Sequence, residues 1–501
     1  MRRLFVSIVA LLITVTSPAA LSDAVFSVPP SGLDDTSTIQ AAFDAAVNAG
    51  PGSTVKLEAG SYCLTSPLIV RGFSGTWIGA GKEQTTLKTC PDVFPVPQNI
   101  VPDPAYPADP PFRVLSPIVF IEVAGKPSQD IQIREITIEL AGETNPWTRP
   151  GLPGDLTIFR PAIQILGRRP TVLDGAISSV SLAVDRIGMI GNAEGSVFGT
   201  PYETNIDNGI EILGSLAPGV GVEPVTANVS ITRSHFERVA FSAIQTVYCL
   251  DCNVTFGGSS KNGNTSSLNF GGAVFASIVG GSSFLVSHNV GATQNGAFFQ
   301  AVPHAAAPNP GPAQIVVAHN EFDLFPAPIN PSYGITLVDI PSAFFGTPVI
   351  SATIENNTFR QTDIGFGEGS LFGVDNFVAS DTVIRNNRFS GHYAVSAIAA
   401  GYFDGPPPGI ADNLLLKGNN LTGASAGVAP VWLGPYSTNS VVVGGPNSRH
   451  VFDQGYGNIA TGVNNARGNP PGPRLQDLLG AGSMGQEPSS EYQGFGITSG
   501  R

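Results

Sequence analysis

The sequence predicts an all-β solenoid, built from short parallel strands that return at a near-constant interval. Three observations carry that prediction. Only 13% of the 501 residues are charged, while glycine reaches 59 and prolines 42, the composition of a turn-rich β protein and not of a helical or disordered one. A six-residue frame with an asparagine at its fourth position recurs along the chain. Each copy is followed, after a turn, by a second β-prone stretch. A chain this long normally splits into several domains unless it grows by stacking repeats.

The frame reads "VSHNVG" (286–291), "VAHNEF" (317–322), "IENNTF" (354–359), "IRNNRF" (384–389) and "LKGNNL" (416–421). "ITRSHF" (231–236) puts Ser234, and "LAVDRI" (182–187) puts Asp185, at the asparagine position. Asn289, Asn320, Asn357, Asn387 and Asn419 are thus separated by 31, 37, 30 and 32 residues. The second stretches are "NGIEIL" (208), "SAIQTV" (242), "YGITLV" (333), "VSAIAA" (395) and "APVWLG" (429). Alternating strands punctuated by Gly and Asn at this interval describe coils rather than hairpins. Equivalent strands of successive coils pair in parallel, and their inward side chains stack in columns. Asparagine suits the turn because it tolerates a left-handed backbone and its amide can bond the asparagine one coil away, so the column is a structural ladder.

The chain opens with Met1-Arg2-Arg3, an apolar run from Leu4 to Val15 and small residues near Ala19, the pattern of a secretory signal over residues 1–24 with cleavage after Ala19 or Ala24. The run is shorter than the roughly 20 residues of a membrane-spanning helix, and no later stretch is long and apolar enough to span. The expected place is the cell exterior: secreted, periplasmic or at the cell surface. With 25 basic and 38 acidic residues, net −13, the chain is expected to repel nucleic acid. Four cysteines in an exported chain suggest disulfides with three possible connectivities, of which Cys63–Cys90 with Cys249–Cys252 is favoured.

The repeat, together with "DDTSTIQAAFDAAVNAGPGSTVKLEAGSYCLTSPLIV" (34–70), resembles the right-handed parallel β-helix proteins of the pectate-lyase-like superfamily over most of residues 25–463. That fold carries lyases, glycoside hydrolases, epimerases, tailspikes and adhesins, so the resemblance speaks for architecture more than activity. It implies that an N-terminal helix, about residues 36–49, lies over the open end of the first coil. Ile39, Ala42, Phe43, Ala46 and Val47 form its apolar stripe. Asp34, Asp35 and Ser37 are expected to cap it, Ser37 pairing with Gln40 as a capping box. The 27-residue separation of Cys63 and Cys90 is about one coil, placing them as vertical neighbours roughly 5 Å apart. Residues 91–117, 144–161 and 303–312 read as loops thrown out of the scaffold, and 464–501 as a Gly/Pro/Ser-rich tail.

Members of that superfamily that cut polysaccharide work along the outer face of one parallel sheet. In this chain the second stretch of each unit is the expected wall. With Ile210, Ile244, Ile335, Ile398 and Val431 facing inward, Glu211, Gln245, Thr336, Ala399 and Trp432 face out, with Asp207, Asp339, Glu368 and Tyr436 nearby. Glu211, Asp339 and Glu368 are the candidate catalytic acids; Gln245, Thr336, Trp432 and Tyr436 are the candidate sugar-binding groups. The hydrolase signatures are missing: "SGHYA" around His392 lacks the second glycine, and no adjacent aspartates fall in the groove frame. A lyase would need clustered acids for Ca²⁺ and a basic group, for which only Arg233 and Arg238 offer themselves. His288 and His319 fall in one column but make too small a ligand set for zinc, and "GAGKEQTT" (79–86) departs from a phosphate loop, so no cofactor is certain, with Ca²⁺ left open for the case of a lyase. The function expected is binding of an extracellular polysaccharide or cell-surface glycan, with cleavage as lyase or hydrolase left open. The rival is a structural or adhesive solenoid that meets a protein or a surface through its loops.

Overall fold

The computed structural model describes residues 24–90, 113–115, 117–124, 128–140, 157–159, 161–168, 178–191, 206, 208–214, 225–239, 242–269, 272–279, 281–293, 296–303, 313–324, 332–337, 350–361, 371–402, 410–445, 450–462 and 464–467. The expected signal segment, most of the three long loops, most of the tail, and Asp207, Asp339 and Glu368 lie outside the described residues.

One coil shows how the chain is wound. Ser283–Ser287 forms a strand of a first sheet, the turn at His288-Asn289 redirects the chain into Val290–Thr293 of a second, and Gly296–Pro303 belongs to a third. The next coil repeats the path with Ala313–Ala318, Glu321–Leu324 and Ser332–Leu337, each strand pairing in parallel with its predecessor. The first sheet runs in this way from Val25–Val28 to Ile459–Thr461, the second from Gly60–Leu64 to Asn420–Ala426, and the third from Leu68–Arg71 to Asn464–Arg467. The chain is therefore a parallel β-helix.

Its core consists of columns, because registered parallel strands put like positions one above another. In the first sheet Phe256, Val286, Val317, Ile354, Ile384, Leu416 and Val442 stack in register, and all are buried. In the second, Phe322, Phe359 and Phe389 stack with ring centroids 4.9 and 4.7 Å apart. That column narrows to Gly291 and Ser266 one and two rungs earlier. Phe298 of the third sheet fills the space, 4.2 Å from the Phe322 ring, and a Cβ on Gly291 would fall 2.1 Å from its ring.

Both cysteine pairs are disulfides, with Cα atoms 5.2 Å apart for Cys63–Cys90 and 5.6 Å for Cys249–Cys252. The one helix among the described residues, α1, spans Thr36–Ala49 and buries Ile39, Ala42, Phe43 and Ala46. Phe43 meets Phe73 and Trp77 edge-on at 5.3 and 5.5 Å, which ties α1 to the first coils.

Of the three expected caps, only Asp34 bonds an N–H at the start of α1. No side chain of the cap position bonds the helix N-terminus, and Ser37 and Gln40 form no capping box. Gln40 instead bonds both backbone groups of Ile69 at 2.8 Å. Asp35, fully buried, accepts from the Ser31 N–H at 2.7 Å and the Cys63 N–H at 3.0 Å. Asp34 accepts from the Thr36 N–H at 2.9 Å and the Thr65 hydroxyl at 2.7 Å. Burial opposes the Asp34 charge, but the bonds from Thr36 and Thr65 outweigh it and hold its carboxyl below the usual range. The pair therefore stitches the approach to α1 onto the strand Gly60–Leu64. Asp35→Ala leaves two N–H groups without their acceptor, so chemical denaturation should show a loss of about 2 kcal/mol rather than the roughly 1 kcal/mol of a surface cap.

Candidate functional site

Between the first and second sheets the turn is held by side-chain amides. The Asn357 Nδ2 donates to Asn387 Oδ1 at 3.0 Å and to the Val317 carbonyl at 2.8 Å, and its backbone N–H donates to the same Asn387 oxygen at 2.9 Å. Its own Oδ1 accepts from the Asn320 N–H and amide, both at 2.9 Å. The pattern repeats at Asn289, Asn320 and Asn387, with Asn419 taking the last bonds. Asn264 extends it one coil earlier, donating to Asn289 and accepting from Ser234. One expectation is corrected. The left-handed backbone belongs to the residue before each ladder asparagine, His288, His319, Asn356, Asn386 and Gly418, all with φ between 56° and 66°.

On the outside of that turn the His288 and His319 rings stack, centroids 4.9 Å apart and 17° from parallel. Burial, with the neighbouring His319 as second cause, holds His288 below the ordinary histidine value. No group of three or more metal-ligating side chains occurs among the described residues. Arg233 is tied to Asp185 by bonds of 2.7 and 2.6 Å, and Arg238 lies 3.5 Å from Glu237. Arg233 stands in the turn between a first-sheet strand and a second-sheet strand, and Arg238 in the turn that follows the second-sheet strand.

The groove frame itself is continuous. Registered pairing places Gln164, Glu211, Gln245, Phe275, Gln300, Thr336, Asp375, Ala399, Trp432 and Phe452 in one column of the third sheet. The neighbouring residues Ile210, Ile244, Ile335, Ile398 and Val431 are buried in the core, as the alternation requires. A parallel column places its side chains about 4.8 Å apart. The expected open wall is, however, closed: Glu211 is 2% exposed, Thr336 5%, Gln245 7% and Trp432 8%.

Two clusters occupy this outer face. Toward the N-terminal end, Gln164 Nε2 donates to Glu211 Oε2 at 2.9 Å, and the Ser242 hydroxyl donates to Asn208 Oδ1 at 2.7 Å. Asn208 in turn donates to Gln245 Oε1, and all five side chains are buried. Toward the C-terminal end, the Tyr402 hydroxyl donates to Asp375 Oδ1 at 2.6 Å. The Tyr402 ring is stacked between Phe372, at 5.4 Å, and Trp432, at 5.1 Å. Trp432 Nε1 donates to Gln454 Oε1 at 3.0 Å. Burial pushes the Asp375 carboxyl up to about 7, with the Tyr402 bond acting in the opposite direction. Tyr436, half-buried, is placed beside this cluster by its N–H bond to the Gly401 carbonyl at 2.8 Å.

Glu211 and Asp375 stand five rungs apart in the column, about 24 Å. Two carboxylates that share a glycosidic bond stand about 5–10 Å apart, so these two are not such a pair. Sequence reasoning missed Gln164, Asn208, Asp375 and Tyr402. A signal for Asp375 was present: Ile335 and Ile398 are 63 residues apart, two coil lengths, which leaves one strand unassigned between them. That strand is Phe372–Asn376.

Neither a protein-family model nor a curated protein matches the chain. Solved structures similar to it include the A-module of the mannuronan C-5 epimerase AlgE4 from Azotobacter vinelandii, at 16% identity and TM-score 0.41, covering 87% of this chain and 94% of that chain. The surface protein and adhesin PfbA of Streptococcus pneumoniae is 15% identical at TM-score 0.39, with 89% and 99% covered. The Agl-KA catalytic domain is 13% identical at TM-score 0.44, with 91% and 69% covered. They are parallel β-helix proteins, and at these identities the likeness is one of fold alone.

Proposed function

We propose that the chain is an exported, right-handed parallel β-helix that engages an extracellular polysaccharide along the outer face of its third sheet. The signal-like start and the two disulfides support export to the cell exterior. Among the described residues, no helix is long and apolar enough to cross a membrane. Parallel strands joined by crossovers favour the right hand. In the same reading α1 closes the first coil, since it buries its apolar stripe on Phe73 and Trp77.

The observation that carries the sugar reading is on the outer face. Gln164 Oε1 and Thr336 Oγ1 are buried there without a hydrogen-bond partner among the described residues. Buried polar atoms are nearly always paired, so a face with orphaned acceptors and hydroxyls is one where a ligand completes the bonding. Amide, carboxyl and hydroxyl groups at regular spacing beside a stack of aromatic rings suit a chain of sugars. Because these side chains are shut off from solvent, a polymer reaches them only when the face opens. Ca²⁺ enters this reading only if the reaction is a lyase elimination.

Affinity electrophoresis through gels cast with different polysaccharides tests the proposal directly. At least one gel should retard the protein and quench its tryptophan fluorescence. Trp432→Ala, checked for an unchanged circular dichroism spectrum, should lose most of the retardation and the quench. Retardation by none of the gels would sink the reading. Parallel assays for new reducing ends and for unsaturated products then decide whether binding leads to cleavage. The closed state of the column favours one rival, a structural or adhesive solenoid whose outer face is packing. In that case Trp432→Ala lowers stability and changes no glycan binding.

A further inference from the structure

The orientation of Gln164 is fixed by its neighbour. The amide presents Nε2 to Glu211 Oε2 in a bond of 2.9 Å. Its Oε1 is thereby left as an acceptor, buried and without a partner among the described residues. Thr336, 5% exposed, presents a hydroxyl in the same condition five rungs further along the column. Gln164 Oε1 needs an O–H or N–H donor, and the Thr336 hydroxyl can both donate and accept; sugar hydroxyls meet both needs, whereas a ligand carboxylate could serve only Thr336.

Charge points the same way. Arg71, at the first rung, is the one Lys or Arg side chain described on the third sheet, and it is paired with Glu122 at 3.0 Å. The outer column itself carries Glu211 and Asp375 and, among the described residues, no cation. A polyuronate would bring one carboxylate per sugar against these acids in a chain of net charge −13.

We propose that the ligand of this face is an uncharged, hydroxyl-rich glycan, bound by hydroxyl donation to Gln164 Oε1 and by exchange of hydrogen bonds with Thr336 Oγ1. This rests on the polysaccharide reading of the same face and names its substrate class. Specificity then comes from satisfying buried acceptors, and binding is insensitive to salt.

The test uses the full chain and three oligosaccharide sets of matched length, a neutral glucan set, a galacturonate set and a chitosan set, titrated at low and high salt. The neutral set should bind, with the same affinity at both salt concentrations. Thr336→Val has the same shape and removes a hydroxyl that has no partner to lose, so it should fold with undiminished thermal stability and bind the neutral set several-fold more weakly. Gln164→Met, also checked by its melting temperature, should weaken binding about tenfold, the value of one buried hydrogen bond. Tighter binding of galacturonate or chitosan would overturn the substrate class while leaving the polysaccharide reading intact. Neutral binding unaffected in both variants would overturn the assignment to these residues. Binding of none of the sets would overturn both.

Discussion

Asn357→Ala should lower the unfolding free energy by about 3–5 kcal/mol, measured by chemical denaturation. The wild-type side chain takes part in four hydrogen bonds inside the coil, two as donor and two as acceptor. Alanine removes all four and leaves the Val317 carbonyl and the Asn320 N–H without their partner in a turn where Asn357 is 1% exposed. Each such orphan costs about 1–3 kcal/mol. Asn357→Asp should be worse near neutral pH: it keeps the acceptor but turns the donor that faces Val317 and Asn387 into a second oxygen. Asn356→Gly is the control. Asn356 is exposed and holds φ at 56°, which glycine adopts without cost, so its effect should stay within about 0.5 kcal/mol. A small effect at Asn357 would mean that the amide column contributes little and the apolar columns alone hold the coils.

The sequence made the coil interval and the ladder positions legible because one asparagine per turn has to recur wherever its bond partner recurs. It did not separate the two jobs within "HN" and "NN". Asparagine serves both as a left-handed residue and as an amide bridge, and only backbone geometry shows that His288 and Asn356 take the first role and Asn289 and Asn357 the second. The capping box failed for a similar reason. Ser37 and Gln40 have the right spacing, yet Gln40 gains two bonds to the Ile69 backbone by lying across to the neighbouring strand. "FGVDN" escaped notice because Gly373, Asp375 and Asn376, residues depleted in strands, outnumber Phe372 and Val374, and its formation depends on the registered strands on either side. The direction of Glu211, Gln245, Thr336 and Trp432 followed from alternation. Their burial did not, since alternation says which face a residue takes and nothing about what lies above it.

Asp375→Asn should change the shape of the stability curve with pH, and the sign follows from where the proton sits. The unfolded carboxyl releases its proton near 3.8, whereas the folded one, buried beside Tyr402, holds it to about 7. Between those values the folded state binds more protons than the unfolded state, so stability falls as pH rises through the window and is flat on either side. From about pH 4 to pH 8 this group removes stability on the order of 4 kcal/mol. Asparagine keeps the shape and an oxygen to accept from Tyr402 but cannot ionise. The variant should therefore match the wild type near pH 4 and exceed it at pH 8 by most of that amount. A difference that stays constant across the range would mean that the Asp375 carboxyl titrates normally. If the difference follows the curve, the outer face carries, below about pH 7, a neutral carboxylic acid that can donate to a hydroxyl or a glycosidic oxygen. Glycan affinity should then be level at acid pH, fall as the pH rises through about 7 in the wild type and stay level in Asp375→Asn, which links the buried acid to the ligand and not to packing alone.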